Sequence, residues 1–447
     1  MDIERDIEKD LRVWKERSDR KPLILQGARQ VGKTWILKHF GKKYFENIAY
    51  FNFDKTKELR QFFENSKEPT RIIQNLSLVN GSAITPGKTL IIFDEIQECN
   101  EALNSLKYFC EEAPEYAIAC AGSLLGVALS RGASFPVGKT DFLKMFPLTF
   151  REFVTAADKP LQQYADELFD TNIDIEPIPD IFFNQFLEKF KTFFISGGMP
   201  EPVVKMLTTY NTNEVQYSLN NLLEAFTLDF SKHIQNNDIP KLNQIWNSLP
   251  SQLAKENKKF LYQAVKPGAR AREYEDALEW LKKSGLVYKI FCNTKPALPL
   301  DAYDDITSFK IYLPDVGLLR IMSKLDPRIL IEGSRLFTEF KGSLTENYIL
   351  TSLVKQFNQV PKYWKSKNKA EVDFIIQYNN QIIPIEVKSD ENIRSKSLAV
   401  YKKEYNPKIC IRYSLRNLKY DGNTINIPLF FADYTTQILE RANSTIQ

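Results

Sequence analysis

LILQ-GARQVGKT-WILKHF, from Leu23 to Phe40, is the stretch that decides how this chain folds. An apolar run, a loop bracketed by glycines and an amphipathic segment follow one another, and the order reads strand, loop, helix. Gly27 and Gly32 let the backbone bend and approach an anion closely. The amides of Ala28, Arg29, Gln30 and Val31 can then turn inward, towards the positive end of a helix starting near Lys33. Lys33 can reach β- and γ-phosphates there, and the Thr34 hydroxyl can ligate Mg²⁺. The chain carries its own control for this reading. Gly138–Thr140 also spells GKT, but Ala133 stands where the first glycine is needed, Gly132 is one place out of register, and Pro136 interrupts. That second GKT reads as an ordinary loop.

Further along, TLIIFDEIQ (Thr89–Gln97) is an apolar strand ending in acid. Asp94 falls at the C-terminal edge of a sheet, where α/β proteins collect ligands. There it can hold the Mg²⁺ shell, and Glu95 can orient and deprotonate an attacking water. The strand NIAYFNFD lies between the two motifs in sequence, so another strand is expected to separate them in the sheet. YAIACAGS ends at Ser123, a hydroxyl placed to sense a γ-phosphate or to cap the strand. Arg131 and Arg151 are candidates for charge neutralisation, or surface ion pairs.

With 447 residues the chain is long enough for two or three domains. Its 43% hydrophobic and 26% charged residues are ordinary for a folded protein, and a net charge of +4 permits nucleic-acid contact without implying it. Five cysteines without a CxxC pair argue against a disulfide scaffold or zinc ribbon and suit a reducing cytoplasm. Two histidines, His39 and His233, leave little room for triads or His-rich metal sites. The charged start is no secretory signal, and no run approaches the about 18 apolar residues of a membrane span.

Residues 1–155 read as the sheet domain, opened by an amphipathic helix with Ile3, Ile7, Leu11 and Trp14 on one face. Strands Pro22–Gln26, Ile48–Phe53, Thr89–Phe93 and Tyr116–Ala121 alternate with helices, the mark of a mostly parallel sheet. Residues 156–330 are helical with aromatic anchors. Within them Lys259–Phe291 gives helix, Pro-Gly turn, helix and strand, compatible with a winged helix. AREYEDALEWLKKSG carries nearly as many acids as bases, so a plain packing module is preferred there to direct DNA contact. Residues 331–447 give a helix (Ser343–Phe357), two strands (Val372–Gln377, Ile382–Val387) and a lysine-rich helix.

In that last part, AEVDFIIQ and IPIEVKS would present Asp373, Glu386 and Lys388 together on neighbouring strands, by alternation. Carboxylates beside a lysine suit metal-dependent phosphodiester cleavage. Glu346 points along the apolar face of its helix, costly unless paired or metal-bound. PKYWKSKNK reads as phosphate attraction with an aromatic platform, or equally as a solvated lysine loop. Arg394, Lys396, Lys402 and Lys403 add positive potential.

GARQVGKT, LIIFDEIQ, PLTFREF, SGGMPE (Ser196–Glu201), AEVDFIIQ and IPIEVKS together resemble prokaryotic AAA-superfamily P-loop ATPases with a C-terminal domain of unknown function (DUF4143). The resemblance implies an α/β P-loop ATPase domain, a winged-helix-like middle and a restriction-endonuclease-like end. It also supplies the choice of ATP, since no base-reading motif is visible. The expected activity is Mg²⁺-dependent ATP hydrolysis driving action on DNA, with a nuclease-like domain behind it. The rival is a nucleotide-controlled switch or scaffold for protein partners, its nuclease-like domain inactive. A nucleotide kinase fits poorly, because Asp94–Glu95 favours attack by water.

Overall fold

A computed structural model of the chain describes residues 1–122, 136–170, 175–233, 238–255, 258–332, 338–367, 370–389 and 395–446. It divides into two compact units: one spans Asp2–Phe146 with Lys283–Leu286, and the other spans Pro147–Lys282 and Val287–Gln447 with Met1.

The first unit is built on five parallel strands. They are β1 (Leu23–Gln26), β2 (Asn47–Asn52), β3 (Thr89–Asp94), β4 (Ala117–Ala121) and β5 (Asp141–Lys144), in the order β2-β3-β4-β1-β5. Every residue of β3 and β4 is buried, as strands covered on both faces must be. Phe53, Phe63 and Phe93 meet edge to face in the core on one side. The opening helix, Ile7–Glu16, buries Ile7, Leu11 and Trp14 as its spacing predicts. Just before it, Arg5 donates to the carbonyls of Val31 and Phe146.

A strand does separate β1 from β3, but it is β4, which comes later in sequence. NIAYFN forms β2 on the outer edge. Strand β5 escapes the sequence reading because it is a short edge strand with alternating exposure, its Phe142 46% exposed. The second GKT is the turn that leads into it.

The second unit carries an eight-stranded mixed sheet. Its strands are β6 (Tyr288–Asn293), β7 (Asp304–Tyr312), β8 (Lys362–Lys365), β9 (Glu371–Tyr378), β10 (Gln381–Val387), β11 (Cys410–Ser414), β12 (Lys419–Asp421) and β13 (Thr424–Pro428). They run in the order β12-β13-β11-β10-β9-β8-β6-β7. The sheet therefore crosses residue 330: β6 pairs in parallel with β8. The turn at Pro267-Gly268 separates the short helix Tyr262–Val265 from Ala271–Lys283, and β6 follows. Helices Asp180–Ser196 and Thr338–Phe357 share an aromatic core in which Phe190, Phe193 and Phe194 surround Tyr348.

Two glycines of SGGMPE are fixed by close approach. A Cβ on Gly198 would stand 2.1 Å from the carbonyl oxygen of Leu148, and one on Gly197 2.3 Å from Asp315 Oδ1. The buried Asp315 carboxyl accepts from the amides of Gly198 and Leu318, and burial pushes its pKa up to about 6. SGGMPE thus reads as a packing junction.

No helix among the described residues is long and apolar enough to cross a membrane. All five cysteines are free.

Candidate functional site

The loop after β1 has the backbone a phosphate cradle requires. Gly27, Gln30 and Gly32 sit at φ 154°, 65° and 97°, and the helix Lys33–Tyr44 starts directly after Gly32. Gly27 has no room for a side chain, because a Cβ would lie 2.2 Å from the Met145 carbonyl oxygen. Ala28 and Val31 are buried, while Arg29 and Gln30 reach the surface in part or fully.

Lys33 is buried, and its Nζ donates to the carbonyls of Gly27 and Ala28 at 2.9 and 2.7 Å. Burial lowers its pKa to about 8, against the pull of Glu95 and Asp94. An ammonium tied to its own loop is a cation waiting for a better acceptor than two neutral carbonyls.

Thr34 donates from Oγ1 to Asp94 Oδ1 at 2.9 Å. The carboxylate's other oxygen accepts from the Tyr50 hydroxyl at 2.7 Å and from Asn52 Nδ2 at 3.2 Å. Sequence reading misses these two residues because their part depends on β2 pairing directly with β3, Asn52 opposite Asp94. Alternation along β2 does place Tyr50 and Asn52 on one face, which is the signal that could have found them. Glu95 follows in the left-handed region at φ 50°, and its Oε2 accepts from Gln97 Nε2 at 2.6 Å.

Glycine-bent loop, buried lysine, hydroxyl and carboxylate meet at the C-terminal ends of β1 and β3, which flank β4. Those groups fit a triphosphate and Mg²⁺: Lys33 and the loop amides for phosphate oxygens, Thr34 and Asp94 for the metal shell. Ser123 and Arg131 lie outside the described residues. Arg151 belongs to the other unit, where Asp166 holds it through two hydrogen bonds of 2.9 Å.

In the second unit, Asp373 lies near the start of β9 and Glu386 near the end of β10, antiparallel strands whose register pairs Phe374 with Ile385. Asp373 accepts from the Val387 amide at 2.8 Å, and Lys388 pairs with Glu386 at 2.6 Å. Glu346 is buried and held by Lys258 and the Tyr312 hydroxyl. Burial, with Glu346 and Glu386 nearby, raises the Asp373 pKa well above the carboxylate range. Lys258 and Lys310 hold that of Glu346 down against its burial.

Among the described residues no group of three or more His, Cys, Asp or Glu side chains is placed to hold a metal. Lys258 pairs with Glu346, Lys388 with Glu386 and Lys310 with Glu371, while Glu386 Oε2 is buried with no hydrogen-bond partner among the described residues. The aromatic-platform reading of PKYWKSKNK is corrected by the burial of its rings. Tyr363 and Trp364 are buried in β8, Trp364 against Tyr401 and Tyr405, and Lys362 is paired with Asp301 and Asp304, so no aromatic platform is presented. Lys402 binds Thr424, while Lys369 and Arg394 lie outside the described residues.

Residues 19–154 match the family described as AAA domain. Residues 187–328 and 341–430 match two domains of unknown function, DUF8612 and DUF4143. No curated protein matches the chain. Among solved structures, a Walker-type ATPase of Pyrococcus abyssi is similar at 16% identity and a TM-score of 0.45, covering 71% of this chain and 95% of that one. The Holliday junction branch migration motor RuvB of Thermotoga maritima is similar at 15% identity and 0.28, covering 64% and 89%. At such scores these likenesses add nothing to the argument. The family matches agree with the cradle and the acid that ends β3: the chain carries an AAA-type P-loop domain over residues 19–154 and a DUF4143 domain over residues 341–430.

Proposed function

We propose that the chain hydrolyses ATP with Mg²⁺ at Gly27–Thr34, Asp94 and Glu95. The observation that carries this reading is the 2.9 Å hydrogen bond from Thr34 to Asp94, which joins the start of the helix Lys33–Tyr44 to the end of β3. Lys33 takes the β- and γ-phosphate charge, giving up its bonds to the loop carbonyls. Glu95 accepts a proton from the attacking water. Bound Mg²⁺ neutralises charge on the phosphate oxygens. The five free cysteines are in keeping with a reducing, cytoplasmic setting.

For the second unit, the pairing of Glu346 with Lys258 and of Glu386 with Lys388 favours a binding role over cleavage. The helix Thr338–Phe357, strands β8–β10, the helix Lys396–Tyr405 and β11 follow the order expected of a restriction-endonuclease-like domain. A domain of this kind, switched by the nucleotide state of the P-loop unit, would engage DNA or a protein partner. Action on DNA is supported by that order. The protein-partner reading is supported by the buried rings and paired acids.

The deciding experiment is ATP turnover by the full chain with Mg²⁺, measured alone, with duplex DNA and with single-stranded DNA. Turnover that is lost in Lys33→Ala supports hydrolysis at this site, and no turnover under any condition removes it. Stimulation by DNA favours the first role of the second unit, and indifference favours the protein partner.

A further inference from the structure

Gln97 lies two residues beyond the carboxylate that would receive the water's proton, and nothing so far accounts for its environment. The chain leaves β3 through Glu95 in the left-handed region, then makes a single 3₁₀ turn over Ile96–Glu98. Backbone bonds from Glu98 to Glu95 and from Cys99 to Ile96 pin that turn. The Gln97 side chain folds back, and its Nε2 donates to Glu95 Oε2 at 2.6 Å. A carboxylate can only accept, so this bond settles which end of the amide is which. The other end, Oε1, is buried and has no hydrogen-bond partner among the described residues.

A buried acceptor without a donor costs free energy and is uncommon in folded proteins. Here the chain also makes room for it. Gly122 directly follows β4, which lies next to β3 and pairs Ala121 with Asp94. A Cβ on Gly122 would lie 2.4 Å from Gln97 Oε1. Glycine at 122 and the pinned turn at 96–98 therefore combine to hold an empty acceptor beside Glu95, on the sheet edge where the cradle sits.

Hydrolysis of a phosphoanhydride supplies a donor of the right kind at that place. The attacking water has two hydrogens, and orienting it takes an acceptor for each. We propose that Gln97 orients the attacking water: its amide nitrogen fixes Glu95, and its carbonyl oxygen accepts the hydrogen that Glu95 does not take. The water oxygen bonds to the γ-phosphorus as the bond to the β,γ-bridging oxygen breaks, its electron pair leaving with ADP. One water proton goes to Glu95 and is later released with phosphate. The inference rests on the ATPase reading and adds to it a residue acting on the water and not on nucleotide affinity.

The test compares the full chain with Gln97→Ala, Gly122→Ala and the double variant, reading ATP turnover, nucleotide affinity and melting temperature. In Gly122→Ala the glutamine is intact but its carbonyl is displaced, the contact being with the end of a flexible side chain. Each single variant should lose about 10-fold or more in kcat with nucleotide affinity unchanged. The double variant should be no slower than Gln97→Ala, since both changes remove one function. Turnover in Gln97→Ala at or above the wild-type rate overturns the proposal, the latter result marking the Gln97–Glu95 bond as a brake. A parallel loss of affinity and melting temperature overturns it too, as a sign of mere packing. Absence of turnover in the wild type removes the ATPase reading itself, and is distinct from either result.

Discussion

The Tyr50 hydroxyl donates to Asp94 Oδ2 across 2.7 Å, from the strand next to the one that carries Asp94. This bond turns the carboxylate so that Oδ1 faces Thr34. An outer partner of this kind fixes ligand orientation without touching the metal. Tyr50→Phe should therefore raise the Mg²⁺ concentration needed for half-maximal ATP turnover by about 10-fold, with the fold intact. A Mg²⁺ titration of turnover checks this, and an unchanged midpoint removes Tyr50 from the site.

Lys33 predicts a proton linkage. Its pKa without nucleotide is lowered to about 8, from an ordinary 10.5. Phosphate oxygens beside the ammonium favour the charged form and raise that value on binding. Between the two values binding must take up a proton, so affinity should fall as pH climbs above about 8 and be flat below about 7. Calorimetry of ATP binding at pH 8.5 in buffers of different ionisation enthalpy should show this uptake, and Lys33→Ala should abolish it.

The Lys258–Glu346 pair predicts a strong asymmetry. Both side chains are largely buried, 13% and 8% exposed. Lys258→Met would leave Glu346 beside Asp373 and Glu386 without its nearest cation, costing about 3–5 kcal/mol. Adding Glu346→Gln should recover most of the loss. Urea unfolding of both variants checks the sign; equal stability of single and double variants would show that the pair does not matter.

Gly198 offers a steric prediction. A Cβ there meets the Leu148 carbonyl oxygen at 2.1 Å, and Leu148 also donates its amide to the Gly198 carbonyl. Backbone cannot step aside as a side chain can, so Gly198→Ala should destabilise the chain by about 3 kcal/mol. Gly342→Ala, where a Cβ meets nothing within 4 Å, should not.

What the sequence disclosed follows from the reach of each interaction. Gly27–Thr34 is legible because strand, loop and helix are contiguous, and Asp94 because it ends an unbroken apolar strand. Tyr50, Asn52 and Gln97 are not, since their parts depend on which strands lie side by side and on the turn after Glu95. Trp364 misled because aromatic and lysine residues in alternation suit a nucleic-acid surface and a buried strand equally well. Glu346 was recognised as an inward acid, but its partner Lys258 comes from a segment far away in sequence. The order of β1, β3 and β4 likewise comes from crossovers that local pattern does not encode.

The sheet that crosses residue 330 also bears on dissection. The matched DUF4143 region begins at residue 341, yet β8 is bonded through Tyr363 and Trp364 to β6 at Cys292 and Asn293. A polypeptide starting at 341 would carry β8 as a raw edge, its amides and carbonyls open to the next copy. Such edges template self-association. Cut at the family boundary, the C-terminal region should polymerise or precipitate; a cut upstream of Tyr288 would keep its guard strands.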